Sequence, residues 1–306
     1  MFILVLGGTG FIGSHLVDEL TAHHHRIRVF SRKARQTPNS PPGVEYYAGD
    51  FANPFAVAEA MQDIDAVAHL VSTTLPATSN LDPIADIQSN LTNSVHLLQT
   101  MQATGVKKIL FVSSGGTIYG PGGGLPIDEN TPLQPICSYG IVKAAIENYL
   151  RMFQRLYDLS PVILRVANPY GPRQGHLGTQ GVIATFVDRI RRQETINIWG
   201  DGSAVRDYVY VTDVARACRL ALETETCSCV NIASGTGHSL NDIIRQIEMT
   251  LAKTAQVHYS DARKFDVDKI ILDITKAREV LGWEPEITLP VGLQQYWQWL
   301  RSQDGY

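Results

Sequence analysis

Apolar residues recur along this chain in two alternating rhythms. Short β-branched runs at 2–6, 26–30, 44–48, 65–70, 107–112 and 161–166 read as strands. Longer stretches at 11–22, 54–61, 83–103 and 139–157 carry helical spacing and lie between them. Strands and helices alternating at this interval predict right-handed βαβ crossovers, a parallel sheet and helices on both of its faces. Past residue 168 the rhythm loosens into turn-rich pieces at 168–178 and 200–203, followed by helices at 182–192 and 239–251. The expected architecture is a doubly wound α/β Rossmann domain over 1–168 and a smaller α/β substrate-binding domain over 169–306. A segment near 205–225 is expected to pack back on the first domain. Neither an internal repeat nor a low-complexity segment interrupts this order.

Composition narrows the functional classes. Of 306 residues, 44% are hydrophobic and 18% charged, enough apolar material for a full core. Against 26 basic residues stand 30 acidic ones, and no long basic run breaks that balance, which argues against a nucleic-acid partner. The apolar stretches are too short to cross a bilayer, and Met1 leads straight into a strand rather than a secretory leader. Cys137, Cys218, Cys227 and Cys229 form neither a disulfide framework nor a zinc-knuckle spacing. A reducing cytoplasmic setting and no metal are expected. The run His23-His24-His25 is internal and reads as a solvated turn.

The first strand runs into Gly7-Gly8-Thr9-Gly10-Phe11-Ile12-Gly13 and the helix begins at once. Bare backbone at Gly7 and Gly10 permits a tight turn and close approach to a pyrophosphate, and Gly13 lets helix and sheet pack closely. The helix start then offers free N–H groups and the positive end of its dipole. Between a strand and a helix, this pattern predicts dinucleotide binding. After the second strand comes Ser31-Arg32-Lys33, where an NAD site usually has an acidic residue for the ribose hydroxyls. A hydroxyl and two cations favour NADP over NAD; the alternative is that Arg32 and Lys33 are solvated loop charges. Asp50, beside Phe51, is placed either to accept from the adenine amino group or to make an Asx turn.

Tyr139 and Lys143 stand four apart at a helix start, so phenol and amine share a face. A cation beside the phenol is expected to favour its ionised form, and Tyr139 becomes a candidate acid–base group near neutral pH.

These motifs together resemble the extended short-chain dehydrogenases/reductases, in particular their nucleotide-sugar epimerases. The match includes the opening glycine loop, Ser113-Ser114-Gly115-Gly116-Thr117-Ile118-Tyr119-Gly120, Ser138-Tyr139-Gly140 with Lys143, and Leu164-Arg165-Val166-Ala167-Asn168-Pro169. It continues through Val205-Arg206-Asp207-Tyr208 to Leu281-Gly282-Trp283. The resemblance implies inversion at the sugar C4 through a transient 4-keto sugar. Tyr139 takes the hydroxyl proton, a bound NAD(P)+ takes and returns hydride, and Lys143 also holds the nicotinamide ribose. It further implies cofactor contacts from Leu70, Val71, Ser72, Asn90 and Ser113, and a homodimer built on the helices at 83–103 and 139–157.

Where relatives carry a Ser or Thr for the reacting oxygen, this chain has Gly115, so Thr117, ahead of Ser114, is expected to supply that hydroxyl. Gly116-Thr117 also stands where related dehydratases carry Asp-Glu, which argues against elimination of water. For the substrate, the resemblance implies Asn168 at the diphosphate or sugar, Gln180 and Val182 over the uridine, and Trp199 stacked on the base. Arg206 and Arg263 would clamp the pyrophosphate, and Asp266 would accept from the ribose. Ile270 matches a gating position and is intermediate in size, so plain and N-acetylated hexoses both stay open. Arg173 would either meet a uronate or brace its turn. The leading reading is a UDP-sugar 4-epimerase; a net nucleotide-sugar reductase and a non-catalytic NADP-binding sensor are its rivals.

Overall fold

The computed structural model describes residues 1–34, 40–121, 124–174, 181–261 and 267–303. The large sheet takes β1 (Phe2–Leu6), β2 (Arg26–Ser31), β3 (Val44–Ala48), β4 (Ala66–His69), β5 (Lys108–Ser114), β6 (Ser160–Val166) and β10 (Ser228–Ile232). Their order is β10-β6-β5-β4-β1-β2-β3, and every neighbouring pair is parallel. The order reverses between β1 and β4, which opens a crevice at the carboxyl ends of those strands.

Side chains alternate across β1, so one strand feeds two cores. Ile3 and Val5 pack with Leu16 and Leu20 of α1 (Phe11–Ala22) and with Val214, Ala217 and Cys218 of α7 (Val211–Glu223). Phe2, Leu4 and Leu6 turn the other way, onto Val57 of α2 (Pro54–Ala60), Leu98 of α4 (Asn93–Thr104) and Val142, Ile146 and Leu150 of α5 (Ser138–Tyr157). All five β1 residues are buried, as a central parallel strand requires.

The expected single helix over 83–103 is three fused pieces. A short α3 (Pro83–Asp86), N-capped by Asp82, runs into a π-helical segment, Ile87–Thr92, and then into α4. The wide turn sits beside the cleft, a common place for such bulges. Gly105 ends α4 in the left-handed conformation (φ 77°) that glycine adopts without strain.

The second unit is built from a three-stranded sheet of β7 (Asn168–Tyr170), β9 (Val205–Tyr210) and β11 (Gly237–Ser239), and a parallel pair, β8 (Thr195–Trp199) with β12 (Gln256–Ser260). Its core joins Tyr170 to α6 (Val182–Arg192), α8 (Leu240–Leu251) and α10 (Leu289–Gln303). The chain returns to the first unit within this half. Helix α7 packs on α1, and β10 pairs with β6 at the sheet edge. Ahead of α10, α9 (Thr275–Leu281) ends at Gly282 (φ 59°), and the buried Trp283 indole donates to the Asp213 carbonyl at 2.9 Å. His25 lies 3.0 Å from Glu223, joining the turn after α1 to the end of α7.

Candidate functional site

A cleft of about 570 Å³ opens where the carboxyl ends of β1, β4 and β5 meet β7 and α6. On one wall are Gly7, Gly10, Phe11, Ile12 and Gly13 of the first loop. Gly7 takes a left-handed φ of 87°, and the Gly10 amide donates back to the Gly7 carbonyl at 2.9 Å, closing the turn. Helix α1 starts at Gly10 with no side-chain cap, so its first amides face the cleft without a covalently attached acceptor. A Cβ at Gly13 would stand 2.2 Å from the Gly7 carbonyl oxygen. The loop's bare backbone and the uncapped start of α1 therefore fit the pyrophosphate of a dinucleotide. Gly13→Ala is expected to push this loop out of register, so that the purified variant carries almost no cofactor per chain after denaturation and extraction.

The floor holds Ser114, Thr117, Tyr139 and Lys143 together. The Lys143 ammonium donates to the Val112 carbonyl at 3.0 Å and lies 5.6 Å from the centre of the Tyr139 ring. Thr117 donates to the Ser114 hydroxyl at 2.9 Å, and Ser114 and Ser72 line the cleft with the Tyr139 phenol. Ser114 and Thr117 thus form one hydroxyl pair on the floor beside Tyr139. Gly115 is small for a reason outside the reaction: a Cβ there would meet Leu272 Cδ1 at 2.4 Å and the Arg165 carbonyl oxygen at 2.9 Å.

Electrostatics differ from the expectation of a phenol acidified by its lysine. Burial pushes Tyr139 up to about 12, and the neighbouring Ser114 hydroxyl draws it back only in part. Burial pushes Lys143 down to about 8, opposed by the charges of Asp86 and Glu147. Desolvation outweighs pairing because neither charged form is well hydrated at the cleft floor. An added positive charge above the floor is therefore needed to make phenolate accessible near neutral pH.

Behind the floor, α5 has no cap of its own, since Cys137 precedes it without a side-chain bond. The loop after β4 caps it in trans: Asn80 accepts from the Ser138 amide at 2.8 Å and Ser79 from the Tyr139 amide at 3.1 Å. Glu147, fully buried, accepts from Ser113 at 2.7 Å and from Arg165 at 2.7 and 3.1 Å.

The other predicted site residues divide. Leu70, Ser72, Asn168 and Val182 line the cleft, and Asn168 donates to the Asp207 carbonyl at 2.8 Å. Ser31 accepts from Thr9 at 3.0 Å at the end of β2, with Arg32 and Lys33 exposed beside it. Asp50 accepts from the Ala52 amide at 3.0 Å, an Asx turn. Phe51 packs on His69 in the core, and Val71 is half-buried against the same core. Ser113 spends its hydroxyl on Glu147, and Asn90 accepts from the Thr73 amide at 2.9 Å, tying down the loop after β4.

In the second unit, Trp199 is 51% exposed at the end of β8, and Arg206 donates to the Val205 carbonyl. Asp207 is filled by Ser234 and Gly235, and burial lifts it to about 6. Ile270 is buried, and Arg173 pairs with Asp18 at 2.6 Å. Gln180, Arg263 and Asp266 lie outside the described residues. Sequence reasoning missed Tyr208 as a lining residue. Its buried hydroxyl has no partner among the described residues and borders the cleft. It also missed Ser79, Asn80 and Asp86, whose only signal was the density of small polar residues at 72–90.

Among the described residues no group of His, Cys, Asp or Glu could hold a metal, and no helix is long and apolar enough to cross a membrane.

The sheet order, the glycine loop and the Tyr–Lys floor define an α/β dinucleotide-binding enzyme of the short-chain dehydrogenase/reductase type. Residues 3–233 match the NAD dependent epimerase/dehydratase family, and the chain belongs to it. A solved structure of UDP-glucose 4-epimerase from Thermotoga maritima, with UDP-glucose, superposes with a TM-score of 0.93 at 38% identity, covering 99% of each chain. The UDP-glucose 4-epimerase of Thermus thermophilus, in complex with NAD, gives 0.92 at 32% identity, covering 99% of this chain and 100% of that one. A dTDP-4-dehydro-6-deoxyglucose reductase of Escherichia coli is 33% identical over 96% of this chain and 95% of its own length.

Proposed function

We propose that the protein is a cytoplasmic nucleotide-sugar 4-epimerase that inverts C4 of a UDP-hexose or UDP-N-acetylhexosamine with a tightly held NAD(P)+. The observation that carries this reading is the composition of the cleft: among its described lining residues Lys143 is the one charged side chain, and none is Asp or Glu. A floor of hydroxyls, one phenol and one ammonium suits moving a proton on and off an alcohol. Elimination of water calls for carboxylates that this floor lacks.

A nicotinamide cofactor held at the Gly7–Gly13 loop would supply the hydride acceptor and, on the return, the donor. Tyr139 takes the proton of the sugar 4-hydroxyl on oxidation and returns it to the same oxygen after the keto sugar has turned to present the other face of C4. Ser114, held by Thr117, offers a hydroxyl to the reacting oxygen beside the phenol. Lys143, fixed by the Val112 carbonyl, supplies positive charge below the ring and a donor for the cofactor ribose. Asn168 and Val182 border the space for the nucleotide end of the substrate. Gln180, Trp199, Arg206, Arg263 and Asp266 are the proposed contacts to base, ribose and diphosphate.

Ser31, Arg32 and Lys33, with no carboxylate at the end of β2, support NADP as the bound cofactor. A homodimer is supported by the solvent face of α5, where Ile141, Tyr149, Met152 and Leu156 are 37–61% exposed. Leu98, by contrast, faces its own core.

A second reading, a net reductase in which the changed sugar leaves as product, has its own support in the E. coli reductase relative and in the NADP-type loop. One experiment separates them. Purified protein is incubated with a panel of UDP-hexoses and UDP-N-acetylhexosamines without added cofactor, products are read by NMR, and the released cofactor is weighed. Epimers in catalytic amounts with an intact NADP mass are expected. Product formed only when NADPH is added and consumed would establish the reductase instead.

A further inference from the structure

Asp86 is fully buried, yet it lies at the junction of α3 and the π-helical segment, next to the cleft. Three side chains donate to its carboxylate. Thr74 and Asn90 reach one oxygen at 2.7 and 2.8 Å, and Ser138 reaches the other at 2.6 Å. Each donor belongs to a different part of the site. Thr74 lines the cleft on the loop after β4, Asn90 holds the next loop amide at Thr73, and Ser138 opens α5 immediately before Tyr139. Three donors on a carboxylate at zero exposure form a fully satisfied network, the kind that fixes one geometry.

We propose that Asp86 is a positioning residue of the catalytic pair: it ties the first turn of α5, and with it the Tyr139 phenol, to the loop beneath the cofactor, and it sets a buried negative charge facing Lys143. This rests on the epimerase or reductase reading of the floor, since both use the same pair.

The charge has a consequence that a mere tie does not. A buried negative charge raises the pKa of every neighbour, and Asp86 acts in that direction on both Tyr139 and Lys143. The other groups facing the pair are Glu147 on α5, Cys137 before it, and His69 on β4, which burial holds neutral with a pKa near 3. Removing the Asp86 charge lowers the phenol and the ammonium together. The acid limb of the rate profile (loss of the phenol proton) and the alkaline limb (loss of the ammonium proton) then move the same way, to lower pH.

The test uses the holoenzyme as purified. Asp86→Asn is expected to leave KM within about twofold, to lower kcat about tenfold or more, and to move both limbs down by about one pH unit. NMR of ring-labelled tyrosine, assigned with Tyr139→Phe, should show the phenol titration moving down as well. Ser138→Ala removes the tie and keeps the charge, so kcat should fall severalfold with both limbs in place. Limbs and titration that stay put in Asp86→Asn overturn the electrostatic part, and an unaltered kcat in Ser138→Ala overturns the tie. Should Asp86→Asn fail to fold, Ser138→Ala still decides whether the network positions the phenol. Because the titration needs no substrate, a wild-type protein that converts no nucleotide sugar would sink the functional reading and leave this test standing.

Discussion

Tyr139→Phe is expected to lower kcat by about three orders of magnitude, near 4 kcal/mol of transition-state stabilisation, while KM and bound cofactor stay within a factor of about two. The reasoning is local. The phenol hydroxyl shares the floor with Ser114 and Ser72, and its removal takes away the atom that carries the proton without altering the ring volume that fills the floor. Ser114 and Thr117 remain bonded to each other, so the hydroxyl pair persists but has no acid strong enough to replace the phenol. Steady-state kinetics with the converted sugar, alongside extraction of cofactor from the same preparation, checks both halves. A kcat within tenfold of wild type would remove the phenol from the chemistry and return Ser114 to candidacy.

The fold was legible where the signal was local. The central strands at 2–6 and 161–166 are legible as near-continuous apolar runs, 26–30 and 44–48 as short β-branched and aromatic runs near the sheet edge, and the helix at 11–22 by its spacing. The glycine loop was legible for a similar reason: its conformation requires bare backbone at fixed spacing, and φ 87° at Gly7 meets that requirement. Strand β10 was not placed in the large sheet by pattern alone. Its partner, β6, lies far away in sequence, and nothing local records that pairing.

At the site the same division holds. Tyr139 and Lys143 were found from one helical spacing. The trans capping of α5 by Ser79 and Asn80 was not, because a cap supplied from some 60 residues away leaves no mark beside the helix it serves. The sign of the electrostatics was also out of reach. Spacing reports which charges are near, whereas burial decides whether they can remain charged, and only the folded cleft fixes burial. Gly115 belongs here too. In sequence it looked like a missing catalytic hydroxyl, but in space its position is taken up by Leu272, which arrives from the far end of the chain.

The largest expected effect on stability lies one helical turn beyond Lys143. Glu147 accepts from Ser113 and Arg151 as well as twice from Arg165, whose guanidinium is itself 3% exposed. Glu147→Ala would leave Arg165 a buried cation whose remaining bonds among the described residues are to the Tyr119 hydroxyl at 3.0 Å and the Glu129 carbonyl at 3.2 Å. Breaking one side of such a pair costs about 3–5 kcal/mol, because the remaining charge keeps its desolvation penalty and loses its partner. Thermal unfolding should therefore begin roughly 5–10 °C lower, at about 2 °C per kcal/mol for a chain of this size. Replacing both partners, Glu147→Leu with Arg165→Met, should restore most of that loss, since the apolar pair leaves no charge stranded. The double variant separates stability from chemistry. It removes a charge that supports the Lys143 ammonium, so its alkaline rate limb should stay displaced to lower pH even where the melting temperature has returned. Recovery of the limb together with the melting temperature would mean that Glu147 acts on Lys143 through packing alone.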